Sequence, residues 1–284
     1  MPETLIPLIA ILFASGNNFR DIGVGAILGA PFMLSTLAMF VSGAALVIFK
    51  VKKGRQLNLR VNRAVTTRDL VFFLTFYMAA IMAGVVHLKA LDVTLAPLLW
   101  IGYLIYAYMT FMTEGDLDEE TRALYFHRSH LPELPRLRRI VPQIAVSLAA
   151  IVLGARLFVG AVSTIAGLIG LPALVISLLL SPVATELPEK INSVLWIRSG
   201  KDTLALGNIT GAMVFQSVFP VSVGLLLTGW RLDSVSVLSA TLALFSAFVL
   251  LFWLRIKGAI AWWMLLLGGI WYAAFVSYAI ATNV

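Results

Sequence analysis

The 284-residue chain contains no cysteine. Disulfides, thiolate catalysis and cysteine-ligated zinc or iron–sulfur centres are thereby excluded. Charge is scarce as well: Asp, Glu, Lys and Arg make up 12% of the residues, against about 25% in soluble domains. Of the three histidines, none has a recognisable metal spacing. His127 and His130 fall in a polar loop and are assigned no role, and His87, near a helix end, reads as interfacial. There is no phosphate-binding glycine loop and no His-Glu metal motif, and the apolar spans hold no nucleophile–base pair. An enzyme is therefore not expected, nor a cofactor, and ATP is not expected to drive the molecule. Residues 1–15 lack the basic start of a cleavable signal peptide.

What the chain has in excess is apolar length. Hydrophobic residues make up 60% of it, and its mean hydropathy is +0.95. Runs of about 20 apolar residues suit helices that cross a bilayer. The sequence predicts a short helix over 2–15 and spans near 21–49, 70–88, 93–113, 141–165, 171–197, 203–228, 234–254 and 259–282. The fold class is all-α, a polytopic membrane helix bundle with one partial and eight full helices. The 21–49 and 171–197 spans are long and combine proline with small residues, so both are expected to be broken or strongly tilted.

The pI near 9.9 does not point to nucleic acid, because the basic residues lie in loops between apolar spans. Loops near 16–20, 89–92, 166–170 and 229–233 hold three of them, Arg20, Lys89 and Arg231. Loops 50–69, 114–140, 198–202 and 255–258 hold sixteen. Positive charge marks the cytoplasmic side. Loops 50–69 and 114–140 are therefore expected in the cytoplasm of a cell bounded by the membrane that holds the chain, the plasma membrane. The 114–140 loop is the most polar segment and divides the chain. Its acidic run reads as a solvated linker in preference to a cation sensor.

The stretch SPVATELPEKINSV, residues 181–194, puts Glu186, Glu189 and Lys190 inside an apolar span. A charged side chain at the bilayer centre costs about 2.5–3.5 kcal/mol on insertion scales, so several together need paired charges or a bound cation. Two further blocks, DIGVGAILGAPFMLS (21–35) and DTLALGNITGAMVFQS (202–217), align with Gly25 on Gly207, Ile27 on Ile209, Gly29 on Gly211 and Ser35 on Ser217. A Pro-Glu pair precedes each, Pro2-Glu3 and Pro188-Glu189. The loop charges place the opening aspartates, Asp21 and Asp202, on opposite sides. That is the pattern of inverted repeats, whose ion sites lie near the midplane where broken helices meet. Small residues let backbones approach, so Gly25, Gly29, Gly207 and Gly211 are expected at close helix contacts. Carboxylates and proline-freed carbonyls suit a hard cation such as Ca²⁺.

ATELPEKINSVLWIRSGKDTLALGNITGAMVFQS (184–217) resembles the repeat of the cation/calcium exchanger superfamily, in the membrane region of sodium/calcium exchangers. That repeat reads roughly G-T-S-x-P-E, a short helix, K-G, then D-x-A-x-G-N-x-x-G-S-N-x-F-N. The preceding GARLFVGAVSTIAGLIGLPALVI (154–176) is similar to the helix that leads into it. The resemblance implies inverted repeats of about five helices each. Residues 1–113 would be the first, incomplete at its N-terminus because the chain opens inside the Pro-Glu motif. Residues 114–140 would be the cytoplasmic loop and 141–284 the second repeat. It also implies a transported-cation site with Glu3 and Glu189 as acidic ligands, Thr185 beside the second, and Asn208 and Gln216 at polar positions. Cargo would be inorganic cations only, Ca²⁺, Na⁺ or H⁺.

The departures from the family pattern matter. Its serine before Leu-Pro-Glu is Glu186 here, which is counted with the cation-site residues, its later serine and asparagine are Ala212 and Met213, and an apolar position is Lys190. Glu186 and Lys190 are spaced i,i+4 in the favourable order for a helical ion pair. Lys190 either makes that pair and modulates the cation site, or snorkels to the cytoplasmic side. Two readings of function follow: a secondary antiporter moving a cation, Ca²⁺ for instance, against Na⁺ or H⁺, or an exchanger-fold membrane protein that binds ions or partners without transport.

Overall fold

The computed structural model describes residues 2–13, 17–53, 57–113 and 137–282. The 114–136 part of the polar loop, with His127 and His130, lies outside them. Eleven α-helices are present among the described residues. Helix α1 is Pro2–Phe13. Helix α2 (Asn17–Met33) runs through a π-helical turn (Leu34–Ala38) into α3 (Met39–Lys53). Then come α4 (Arg63–Val86), α5 (Lys89–Thr113), α6 (Leu137–Ile169) and α7 (Ala173–Arg198). The last four are α8 (Asp202–Gln216), α9 (Phe219–Leu227), α10 (Ser234–Lys257) and α11 (Trp262–Thr282). Seven stretches are long and apolar enough to cross a membrane, and two shorter apolar helices accompany them. Eight full spans are expected and seven stretches reach that length among the described residues, the difference falling on α7, whose apolar part Ala173–Glu186 is shorter; the chain is an integral, multi-pass membrane protein.

Helix ends follow local chemistry. Asn62 opens α4 by accepting from the amides of Ala64 (3.1 Å) and Val65 (3.3 Å), and His87, in the left-handed region at φ 58°, closes it. Asp233 opens α10 by accepting from the Ser236 amide at 2.8 Å. Arg255 and Lys257 in the last turn of α10 suit the negative end of the helix dipole. Helix α4 thus begins seven residues before the expected 70, because Asn62 caps it and Arg63, Arg68 and Asp69 are helical rather than loop.

The breaks fall differently from the sequence expectation. The 21–49 span is interrupted, at the π-helical turn after Pro31. Such a turn leaves carbonyls out of the regular ladder. Ser246 of α10 donates to the Ser35 carbonyl at 2.6 Å, and Gly268 of α11 lies against the Thr36 carbonyl. The 171–197 span, in contrast, is one α-helix despite Pro182 and Pro188. The span that breaks is 203–228. Pro220 stands at the start of α9, where a continuous helix would drive its ring against the Gln216 carbonyl, so α8 ends at Gln216.

Helices α2 and α7 cross at the centre. Gly25 lies against the Leu174 carbonyl and Gly29 against the Leu178 carbonyl, and the Ser177 hydroxyl donates to the Ile22 carbonyl at 2.6 Å. Gly25 and Gly29 are the close contacts expected of them. Gly207 and Gly211 are not: among the described residues no other segment comes within 4 Å of a Cβ at Gly207, and at Gly211 the nearest such atom is the Tyr106 hydroxyl at 3.6 Å. The glycine alignment predicts equal packing, but the segment that covers α2, the first half of α7, has no counterpart over α8 among the described residues.

Loops gather at two ends. At one, Asn58–Leu59 (β1) pairs antiparallel with Ile260–Ala261 (β2). There the Asp202 carboxylate accepts from the Arg60 amide at 2.9 Å, and the Thr203 hydroxyl accepts from the Asn62 amide at 3.0 Å. At the other, the Leu232 amide donates to the Gly84 carbonyl at 3.3 Å, and Asp21 is within electrostatic reach of Asp233. Helices α2 and α8 therefore start from opposite ends, as inverted units do. The α8–α9 span is 67% buried and α6 only 11%, so α6 lies on the outside.

Candidate cation site

Glu186 sits at the fourteenth of the 26 residues of α7, about 20 Å along the helix at 1.5 Å per residue. That is the middle of α7. Its carboxylate is 1% exposed and is held from two sides. Lys190 Nζ, one turn on and 2% exposed, lies 3.6 Å from Oε2. Gln216 Nε2, at the last residue of α8, donates to Oε1 at 2.7 Å. The i,i+4 pair read from the spacing is present, and Lys190 does not snorkel. Glu3, in the first turn of α1, and Glu189, three residues on along α7, both act electrostatically on Glu186. Each is half-buried.

The structure thus brings Glu3, Glu186, Glu189, Lys190 and Gln216 into one region between α1, α7 and α8. Thr185 is one residue from Glu186 and donates to the Ser181 carbonyl at 3.0 Å, which leaves its oxygen free to accept. Ser181 in turn shares a hydrogen bond with Ser177 at 2.9 Å. Pro188 has no amide hydrogen to give the Ala184 carbonyl, but Ala184 lies on an exposed face of α7, away from the buried charges. Asn208 is not part of the cluster. It stands eight residues before Gln216, about 12 Å along α8, where it donates to Ser193 on α7 at 3.0 Å. It ties α7 to α8 below the charges.

No set of three His, Asp or Glu side chains among the described residues converges tightly enough to hold a metal ion. The oxygens of Glu186 are engaged by Lys190 and Gln216. A cation here would be held by one or two carboxylates together with carbonyl and hydroxyl oxygens, a donor set that fits a hard ion.

A second buried charge cluster was not anticipated. Asp69 of α4, 2% exposed, accepts from Thr210 of α8 at 2.7 Å, from the Tyr106 hydroxyl of α5 at 3.1 Å and from Arg68 at 3.3 Å. Placing residue 69 at the end of a loop hid it. The signal was a single Asp among basic residues directly ahead of the apolar run, preceded by the Asn62 cap.

Comparison with known proteins fits this architecture. The chain is similar to the H⁺/Ca²⁺ exchanger CAX, known from its crystal structure, with a TM-score of 0.70 and 14% identity over 99% of this chain and 74% of that one. It is 25% identical to the inner membrane protein YrbG of Escherichia coli (strain K12) over 262 residues, which is 90% of this chain and 75% of the relative. It is 41% identical to the sodium/calcium exchanger MaX1 of Methanosarcina acetivorans over 71 residues, 25% of this chain and 20% of the relative. The matched stretch is 34% and 20% of the length of two curated relatives and 75% of a third. The family of the sodium/calcium exchanger protein matches residues 140–281. That is half of the chain, and it includes α7 and α8 with Glu186, Glu189, Lys190 and Gln216, but not Glu3. The chain belongs to the sodium/calcium exchanger protein family.

Proposed function

We propose that the protein is a secondary-active cation antiporter that exchanges Ca²⁺ or a similar hard cation against Na⁺ or H⁺ by alternating access. The observation that carries this reading is the buried set of charges midway along α7, where the two Pro-Glu helices α1 and α7 meet the broken α8–α9 span. Glu3 and Glu189 are the acidic ligands in this proposal, with the Thr185 hydroxyl beside them. The two units, 1–113 and 141–284, stand in inverted orientation around it, joined by the 114–140 loop on the cytoplasmic side of the plasma membrane. The ion gradient supplies the driving force, and the protein transports rather than catalyses.

The test is flux in proteoliposomes. Outward Na⁺ and H⁺ gradients are imposed in turn and ⁴⁵Ca²⁺ uptake is followed. Uptake driven by either gradient, and lost in Glu189→Gln and Glu3→Gln, supports the reading. Absence of gradient-driven uptake of Ca²⁺ and of other divalent ions overturns it. A second reading is favoured by one observation, the carboxylates that do not converge: an exchanger-fold membrane protein that binds ions without moving them. Cation binding without flux would select it.

A further inference from the structure

We propose that Lys190 is a tethered cation: its ammonium group holds one of the cation positions of the site permanently, and the Glu186 it neutralises positions Gln216 as a carbonyl ligand. This rests on the antiporter reading of the site and adds to it which charge is fixed and which is exchanged.

The location of Lys190 comes first. It is 2% exposed and eight residues short of Arg198, where α7 ends, about 12 Å from that end. A lysine that merely snorkels leaves its head in water or headgroups, and this one does not. Its counter-charge is Glu186 at 3.6 Å. That is longer than the 2.7–2.9 Å of a charge-assisted hydrogen bond, and Nζ makes no hydrogen bond with any described residue. An ammonium has three donors to satisfy. A lysine locked into a structural bridge would use them. This one rests against a carboxylate as a bound monovalent ion would, in a region where Glu3 and Glu189 also bear on that carboxylate.

Gln216 supplies an independent observation. Only its NH₂ can donate to a carboxylate, so the 2.7 Å contact with Glu186 Oε1 fixes the amide orientation. The carbonyl oxygen is then turned the other way. It is buried and has no donor, a costly state for an acceptor unless something electropositive approaches it. Gln216 is the last residue of α8 before the break, so this oxygen is at the place where a cation site is expected in a broken-helix transporter. Glu186 is therefore a positioning residue. It carries the tethered charge on one oxygen and aims Gln216 with the other.

An ammonium fixed in the site does what a mobile monovalent ion does elsewhere: it balances a carboxylate. It cannot leave, so one fewer monovalent ion is exchanged, and it repels any cation held by Glu189 next to it. Removing its charge while keeping Glu186 opens a vacancy that a free monovalent ion can fill.

The experiment is equilibrium binding of ²²Na⁺ and ⁴⁵Ca²⁺ to the purified full chain in lipid nanodiscs, which needs no flux. Lys190→Met is expected to bind one additional Na⁺ per chain and to bind Ca²⁺ at least tenfold more tightly. Lys190→Arg, which keeps the charge, is expected to retain the wild-type Na⁺ count. The pair Glu186→Gln with Lys190→Met leaves no unbalanced buried charge and is expected to return to the wild-type count. An unchanged Na⁺ count in Lys190→Met with Ca²⁺ affinity within twofold of wild type overturns the proposal. So does a gain of Na⁺ in Lys190→Arg. Should Lys190→Met fail to fold, a double variant that binds one Na⁺ fewer than wild type overturns it, since Glu186 would then be serving a mobile ion. If the wild type moves no cation but Lys190→Met still gains one Na⁺, the antiporter reading fails and the tethered cation stands. If neither protein binds Na⁺, the tethered cation falls.

Discussion

Gly29 of α2 lies against the Leu178 carbonyl of α7, the carbonyl that Pro182 leaves without a helical partner. A Cβ on Gly29 would also stand 2.8 Å from Pro182 Cγ. The proline removes an amide from α7 and widens it locally, and the missing Cβ of α2 fills the gap with backbone. Gly29→Ala is expected to destabilise the bundle by about 1–3 kcal/mol, the range for overpacking a tight contact, visible as a lower unfolding temperature in detergent. Gly207→Ala, where no other described segment lies within 4 Å, is expected to be neutral or to stabilise by up to about 1 kcal/mol through helix propensity. Equal effects at the two positions would overturn the assignment of close packing to α2 alone.

Thr210 donates to Asp69 at 2.7 Å, and Asp69 also accepts from Tyr106 and Arg68. Hydrogen bonds to charged groups are worth about 1.5–3 kcal/mol each. Thr210→Val is expected to cost an amount in that range. In a double-mutant cycle its effect should fall to well under half of that in an Asp69→Asn background, because the charge that strengthened the bond is gone. Strict additivity would show that the two side chains do not interact.

The chain's lack of cysteine makes single-cysteine labelling clean. Ser199→Cys, at the end where Asp202 meets Arg60, and Ser129→Cys in the polar loop are expected to resist a membrane-impermeant maleimide added to intact cells. Ser234→Cys, at the opposite end beside Asp233, is expected to react. Labelling of Ser129→Cys from outside would reverse the orientation derived from the basic loops.

Asp202 holds the Arg60 amide. Asp202→Ala is expected to raise hydrogen exchange at Arg60 and Asn62 at least tenfold while leaving α8 protected beyond its first turn. Unchanged exchange at those two amides would show that the carboxylate does not hold the loop.

The order of spans was legible because hydropathy and loop charge are one-dimensional signals, and the Glu186–Lys190 pair because both residues lie on one helix at fixed spacing. The continuity of α7 was not. It depends on Gly29, a residue about 150 positions away that accommodates Pro182, and no local rule reports a partner helix. The break at Pro220 was within reach of local reasoning, since the clash with the carbonyl four residues back is a property of the sequence alone. The open face at Gly207 and the Asp69 cluster were beyond it. Glycine spacing says that close approach is allowed, not that a neighbour is there, and the Asp69 partners Thr210 and Tyr106 come from other helices.

The pairing of Asn58–Leu59 with Ile260–Ala261 also sets an order of assembly. The second strand is made about 200 residues after the first, so at the usual 5–20 residues per second the first waits roughly 10–40 s for its partner. Helices α2 to α4 must therefore persist in the bilayer with this connection open. The seam between these early and late segments closes only after α10 and β2 have been made, so α10 and α11 arrive at a bundle whose α3–α4 connection is still open.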